Sequence, residues 1–151
     1  NFKDLVDSAI QQIRSQLPDN IHFNIDVPDN IQAVMGPQRI ERVLMNLIVN
    51  AVHAMKDGGE ITIKAKNEFD QEGFSFQVTD TGEGISEKII SKIFDPFFTT
   101  KEVGKGSGLG LSIIYGIMEQ HDGKISVSSK VGKGTTFTCF LPFQQSEQQE
   151  L

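Results

Sequence analysis

Apolar residues recur along this chain with two periods, and the switching between them lays out most of its elements. Val6, Ile10, Ile13 and Leu17 return at helical spacing, which predicts an amphipathic helix over residues 2–16, ended before Pro18. Ile21 to Val27 alternates apolar with polar, as a half-buried strand does, and Pro28 closes it. Pro37 opens a second helix with the buried stripe Ile40, Val43, Leu44, Leu47 and Ala51, running to about Met55 and terminated by Asp57-Gly58-Gly59. Two alternating runs, Ile61/Ile63/Ala65 and Phe74/Phe76/Val78, are joined across Phe69–Gly73 as a hairpin. Ser86 is placed to cap a short helix carrying Ile89, Ile90, Ile93 and Phe94. Residues 95–108 lose all periodicity, and a long loop of this kind inside a compact domain is usually functional or disordered. A helix follows from about Gly108 to Gln120, stopped by Asp122-Gly123, and strands Lys124–Ser129 and Thr135–Leu141 flank a turn at Val131–Gly134. The polar tail 144–151 is expected to fray. Alternating rather than continuously apolar strands imply a sheet packed on one face and wetter on the other. The predicted architecture is a single domain over residues 1–151, an α/β (α+β) sandwich with three main helices on one face of a mixed sheet.

Composition narrows the partners. With 38% hydrophobic and 23% charged residues, 151 residues suffice to bury one core. Cys139 is the one cysteine, so no internal disulfide forms, and its alternating surroundings make it a small core residue in a reducing compartment. No apolar run approaches the roughly 20 residues that span a bilayer, so any membrane anchor is expected outside this segment. The net charge of −6 argues against bulk nucleic-acid binding. An anion site in such a chain has to be local, built from backbone N–H groups, a metal ion and a few lysines.

Three segments carry candidate chemistry. Asn46, Asn50 and His53 fall at i, i+4 and i+7, along one polar line of the helix from Pro37. Such lines are ordinarily solvated, but asparagine is a mediocre helix former, and two a turn apart offer carbonyl oxygens suited to a hard cation. Asp80-Thr81-Gly82-Glu83-Gly84-Ile85 follows a buried strand. It is either a plain strand-ending turn, or a site in which Asp80 accepts from an exocyclic amine while Gly82 and Gly84 admit a flat ring. In Gly104-Lys105-Gly106-Ser107-Gly108-Leu109-Gly110-Leu111, glycines at alternate positions lead into a helix, which concentrates free N–H groups at a helix N-terminus. The segment matches neither the Walker A spacing nor the dinucleotide fingerprint.

Taken together and in order, these segments resemble the GHKL ATPase superfamily of gyrase, the MutL repair protein and the histidine kinases. Asn46-Leu47-Ile48-Val49-Asn50-Ala51 looks like its N box, Asp80-x-Gly82-x-Gly84-Ile85 its first glycine box, and Gly106-x-Gly108-Leu109-Gly110-Leu111 its second. Gly132-x-Gly134-Thr135-Thr136-Phe137 looks like the closing glycine-threonine motif. Phe94-Asp95-Pro96-Phe97-Phe98-Thr99-Thr100-Lys101 looks like the F box peculiar to histidine kinases. The resemblance implies the Bergerat fold, with a mostly antiparallel sheet and ATP held between two helices under a mobile lid at about residues 95–106. It implies Asn50 as the Mg²⁺ ligand, Asp80 as the reader of the adenine amino group, and Gly84 beside the ring. Lys101 and Lys105 could reach phosphate or stay solvated. Thr135 or Thr136 would hold a water against adenine, the choice between them left open. His53 departs from the lysine often found at its position, which leaves a phosphate contact there in doubt.

The implied activity is that of a protein-histidine kinase catalytic domain. It would take the γ-phosphate of Mg-ATP to a histidine on a separate dimerisation and phosphoacceptor domain, for relay to a response regulator. Hydrolytic relatives carry a glutamate base four residues before the magnesium asparagine; Asn46 stands there and cannot take a proton. The alternatives are a serine kinase of the anti-sigma-factor type and a nucleotide-binding interaction module without transfer. None of His22, His53 and His121 lies in a phosphoacceptor context, so the domain is expected to be an excised, cytoplasmic monomer from a dimeric kinase.

Overall fold

The computed structural model describes residues 1–33, 36–95 and 110–143. Its elements are α1 (Phe2–Arg14), β1 (Ile21–Asp26), α2 (Pro37–Ala54), β2 (Gly59–Glu68), β3 (Gly73–Asp80), α3 (Glu87–Ile90), α4 (Gly110–Gln120), β4 (Lys124–Lys130) and β5 (Gly134–Pro142). Local chemistry sets several of the boundaries. The Asn1 side chain accepts from the Lys3 and Asp4 amides and caps α1. Pro37 occupies the first turn of α2, where its missing N–H costs nothing. Beyond the end of α2, Gly58 takes a φ of +89° and donates to the Met55 carbonyl.

The predicted third helix is shorter than its apolar pattern suggested. Ser86 occupies the N-cap without a side-chain cap bond, and α3 stops at Ile90. Ile93 is still buried, but it reaches the core from the turns that follow. Without a capped start, four residues make barely one turn of helix, so apolar spacing there reports burial rather than helix length.

One five-stranded sheet runs in the order β1-β2-β3-β5-β4. β1 lies parallel to β2, and the remaining pairs are antiparallel. The core forms between the helices and one sheet face. Ile61, Ile63, Phe74, Phe76, Val78, Phe137, Cys139 and Leu141 point into it at alternate positions, against Leu44, Leu47, Ile48, Ile114 and Met118. Phe2 closes one end, its ring centroid 5.2 Å from that of Phe74 and 5.0 Å from that of Phe76. Cys139 is fully buried, and the apolar surroundings push its thiol far above the ordinary range, so it is an inert core residue. Residues of opposite parity form the wetter face, where Asn24, Thr62, Thr79, Thr136 and Ser128 stand side by side in register. Among the described residues, no helix is long and apolar enough to cross a membrane.

Candidate functional site

β3 is the central strand, and its last residue, Asp80, is 4% exposed. The carboxylate accepts a 2.8 Å hydrogen bond from the Gly82 amide and another from the Thr135 amide. Burial pushes its pKa up, and these two bonds pull the other way. No cation among the described residues forms an ion pair with it. A buried carboxylate costs free energy unless polar partners satisfy it, and two amides leave part of its accepting capacity open.

The loop after Asp80 is clamped on both sides. Toward α2, the Glu83 amide donates to the Ala54 carbonyl at 3.0 Å, and a β-carbon on Gly82 would stand 2.5 Å from that same oxygen. Toward the β4–β5 turn, the Gly132 amide donates to the Glu83 carbonyl at 2.9 Å. There a β-carbon on Gly84, at φ +78°, would strike the Lys130 carbonyl. Both glycines are therefore demanded by close backbone packing, whatever else approaches them.

Ser129 fastens this loop from below. Its Oγ accepts from the Ile85 amide at 2.7 Å, donates to the Gly134 carbonyl at 3.0 Å, and lies 2.8 Å from the Thr135 Oγ1. Thr135 is 4% exposed and is the register partner of Asp80. Thr136 is turned to the wetter face, where its hydroxyl meets that of Thr79 at 3.0 Å. Of the two threonines, only Thr135 stands with Asp80. Sequence reasoning missed Ser129, although its parity with Ile125 and Val127 was a signal that it shares their face.

On α2, Asn46 and Asn50 are half-buried and His53 is exposed. The end of this line adjoins the loop, because Ala54, one residue beyond His53, holds Gly82 and Glu83. Ile85 is half-buried against the core. Gly110 opens α4 on the surface, with Leu111 packed on the core beside it. Phe98, Lys101, Lys105, Gly106, Ser107, Gly108 and Leu109 lie outside the described residues, as does the predicted lid apart from Asp95.

Residues 35–145 match the family of histidine kinase-, DNA gyrase B- and HSP90-like ATPases. The chain belongs to that family. It is 49% identical over 125 residues to the sensor kinase CckA of Brucella abortus, covering 74% of this chain and 13% of that protein. Over 144 residues it is 45% identical to the sensor histidine kinase ZraS of Salmonella typhi, covering 94% and 30%. The catalytic domain of histidine kinase ThkA aligns with a TM-score of 0.79 at 33% identity, covering 94% of this chain and 92% of that one. The fold is thus that of histidine kinase catalytic domains, and the chain spans less than a third of the curated sensor kinases it matches.

Proposed function

We propose that this domain binds ATP with Mg²⁺ beside α2 and the loop after β3, and transfers the γ-phosphate to a histidine on a separate phosphoacceptor helix. From there a response-regulator aspartate would take it. The observation that supports this most is Asp80, a buried carboxylate without a cationic partner among the described residues, with accepting capacity left after two backbone bonds. An exocyclic amine of adenine is the neutral donor such a group suits. The likeness to named sensor kinases supports the transfer step.

Asn50 fits a hard cation, because its amide oxygen is a neutral hard donor on a half-buried helix line, and magnesium needs few protein oxygens when phosphates supply others. When bound, Mg²⁺ neutralises charge building on the phosphates. The residues of the chain do the rest: Asp80 and Thr135 orient the base, and Asn50 aligns the phosphate end. Asn46 offers no base to activate water. The nucleophile is then a neutral imidazole nitrogen, whose lone pair forms the N–P bond as the P–O bond to the departing ADP breaks.

Titration calorimetry with ATP, with and without Mg²⁺, tests the binding half. Transfer of label from the γ-phosphate onto a phosphoacceptor helix supplied in trans tests the other half. Magnesium-dependent ATP binding with no transfer to any cognate helix would leave a nucleotide-binding module in place of a kinase.

A further inference from the structure

We infer that Ser129, which lies in none of the nucleotide motifs, is a positioning residue that fixes the proton order at the base-reading end of the site. The inference rests on the adenine reading of Asp80 and Thr135 given above. Donors and acceptors around Ser129 decide the proton order. Ser129 has a single hydroxyl proton and three neighbours. The Ile85 N–H, 2.7 Å away, can only donate to it, and the Gly134 carbonyl, 3.0 Å away, can only accept from it. With the Ser129 proton committed to Gly134, the 2.8 Å contact with Thr135 is satisfied only if Thr135 donates. The Thr135 hydroxyl therefore keeps lone pairs alone for anything that enters beside Asp80.

Asp80 and Thr135, register partners across β3 and β5, then present acceptors and no side-chain proton to the 6-position of a purine. A ring with an amine there meets two acceptors. A ring with a carbonyl in its place meets two oxygens and no donor, and a buried polar pair left unmatched in this way is what makes such sites selective. Ser129 also ties Ile85 to Gly134, so one side chain holds together the loop after β3 and the start of β5.

The experiment compares ATP with inosine triphosphate, which carries a carbonyl where adenine carries its amine, by calorimetric titration of the whole domain. The unmutated domain should prefer ATP. Ser129→Ala frees the Thr135 hydroxyl to turn its proton toward the base, so ATP affinity should fall about three- to tenfold, the scale of one neutral hydrogen bond. Inosine triphosphate should lose less or gain, which narrows the ratio. Ser129→Thr, which keeps the oxygen, should restore the ratio. Equal losses for both nucleotides in Ser129→Ala would make Ser129 merely structural and overturn the inference, while leaving the adenine reading intact. No preference in the unmutated domain would instead overturn the adenine reading itself. If Ser129→Ala fails to give a folding transition, the near-isosteric pair Ser129→Thr and Ser129→Val carries the comparison, and identical ratios in those two would sink the proposal.

Discussion

Gly134 faces the backbone of Asp80 so closely that a β-carbon on it would overlap the Asp80 carbonyl oxygen and stand 3.0 Å from the carbonyl carbon. Its φ of +122° is a conformation that L side chains rarely adopt. Gly134→Ala therefore meets both strain and a backbone clash where β3 ends and β5 begins, and should destabilise the domain by roughly 2 kcal/mol or more. Gly116 makes the control: it sits inside α4, and among the described residues no atom lies within 4 Å of the position a β-carbon would take. Gly116→Ala should stabilise by up to about 1 kcal/mol, from helix propensity and reduced freedom of the unfolded chain. Urea denaturation of the two variants checks both signs.

Asp80 should trade stability for binding. Its pKa is raised in the folded protein, first by burial, so the folded state holds a proton where the unfolded chain has released it. Stability contributed by this group therefore falls as pH rises from the ordinary aspartate range through the raised value, and the penalty is complete once pH lies above it. Asp80→Asn keeps an oxygen for the Gly82 and Thr135 amides and removes the charge. At neutral pH it should raise the Tm of the nucleotide-free domain, and this advantage should vanish in acid. The same variant should weaken ATP by on the order of 1.5–3 kcal/mol, the scale of a hydrogen bond to a charged group. Thermal melts across pH, beside titration at neutral pH, measure both; a Tm that drops at neutral pH contradicts the assignment of a burial penalty.

The sequence was most informative where periodicity and punctuation agree. Helix α2 was legible to within a residue at its end, because Pro37 opens it, the apolar stripe Ile40, Val43, Leu44, Leu47 and Ala51 fixes its face, and Gly58 stops it. The β2–β3 hairpin was legible for the same reason. Strand order was not: beyond its hairpin with β2, β3 pairs with β5 rather than with β4, and β1 joins β2 in parallel across the whole of α2. Such pairings depend on long-range packing that local patterns do not encode. Within the site, Asp80 was readable as the polar end of an apolar run. Which of Thr135 and Thr136 stands beside Asp80 was left open, although Phe137 and Cys139 place odd-numbered residues of β5 on the core face. Ser129 was overlooked because parity gives only the face it shares with Ile125 and Val127, and not its bonds to Ile85 and to Gly134 and Thr135.

His121 should take no phosphate. It is 9% exposed, its Nδ1 lies 2.8 Å from the Ile117 carbonyl, and its Nε2 lies 3.0 Å from an Arg39 nitrogen. A carbonyl can only accept, so Nδ1 bears the proton, and the Nε2 lone pair is occupied by the guanidinium. Neither nitrogen is free to attack phosphorus. His121→Gln should leave transfer to an added phosphoacceptor helix unchanged and cost about 1 kcal/mol of stability through the altered bonds between α2 and α4. Label retained on the isolated domain and lost in His121→Gln would contradict this.

Asn46 and Asn50 stand one turn apart on the same line of α2, both half-buried, so they can meet one cluster of phosphate oxygens and metal. Their expected roles differ. As proposed above, Asn50 would supply an oxygen to Mg²⁺, and Asn50→Ala would leave the ion short of a ligand. Affinity for ATP in that variant should no longer respond to magnesium, and transfer should be lost, while the melting temperature of the nucleotide-free domain barely moves. Asn46 stands where a carboxylate would be able to take a proton from water. Asn46→Glu should therefore raise the slow hydrolysis of ATP relative to transfer onto an added phosphoacceptor helix. A glutamate also brings negative charge toward phosphate, so its affinity has to be measured beside its rates; the informative quantity is the ratio of free phosphate to phosphohistidine at saturating ATP. A ratio unchanged from the unmutated domain would mean that water is excluded by something other than the missing base at position 46. Full magnesium dependence in Asn50→Ala would remove the support for this helix as the metal-binding element, and with it the mechanism proposed for the domain.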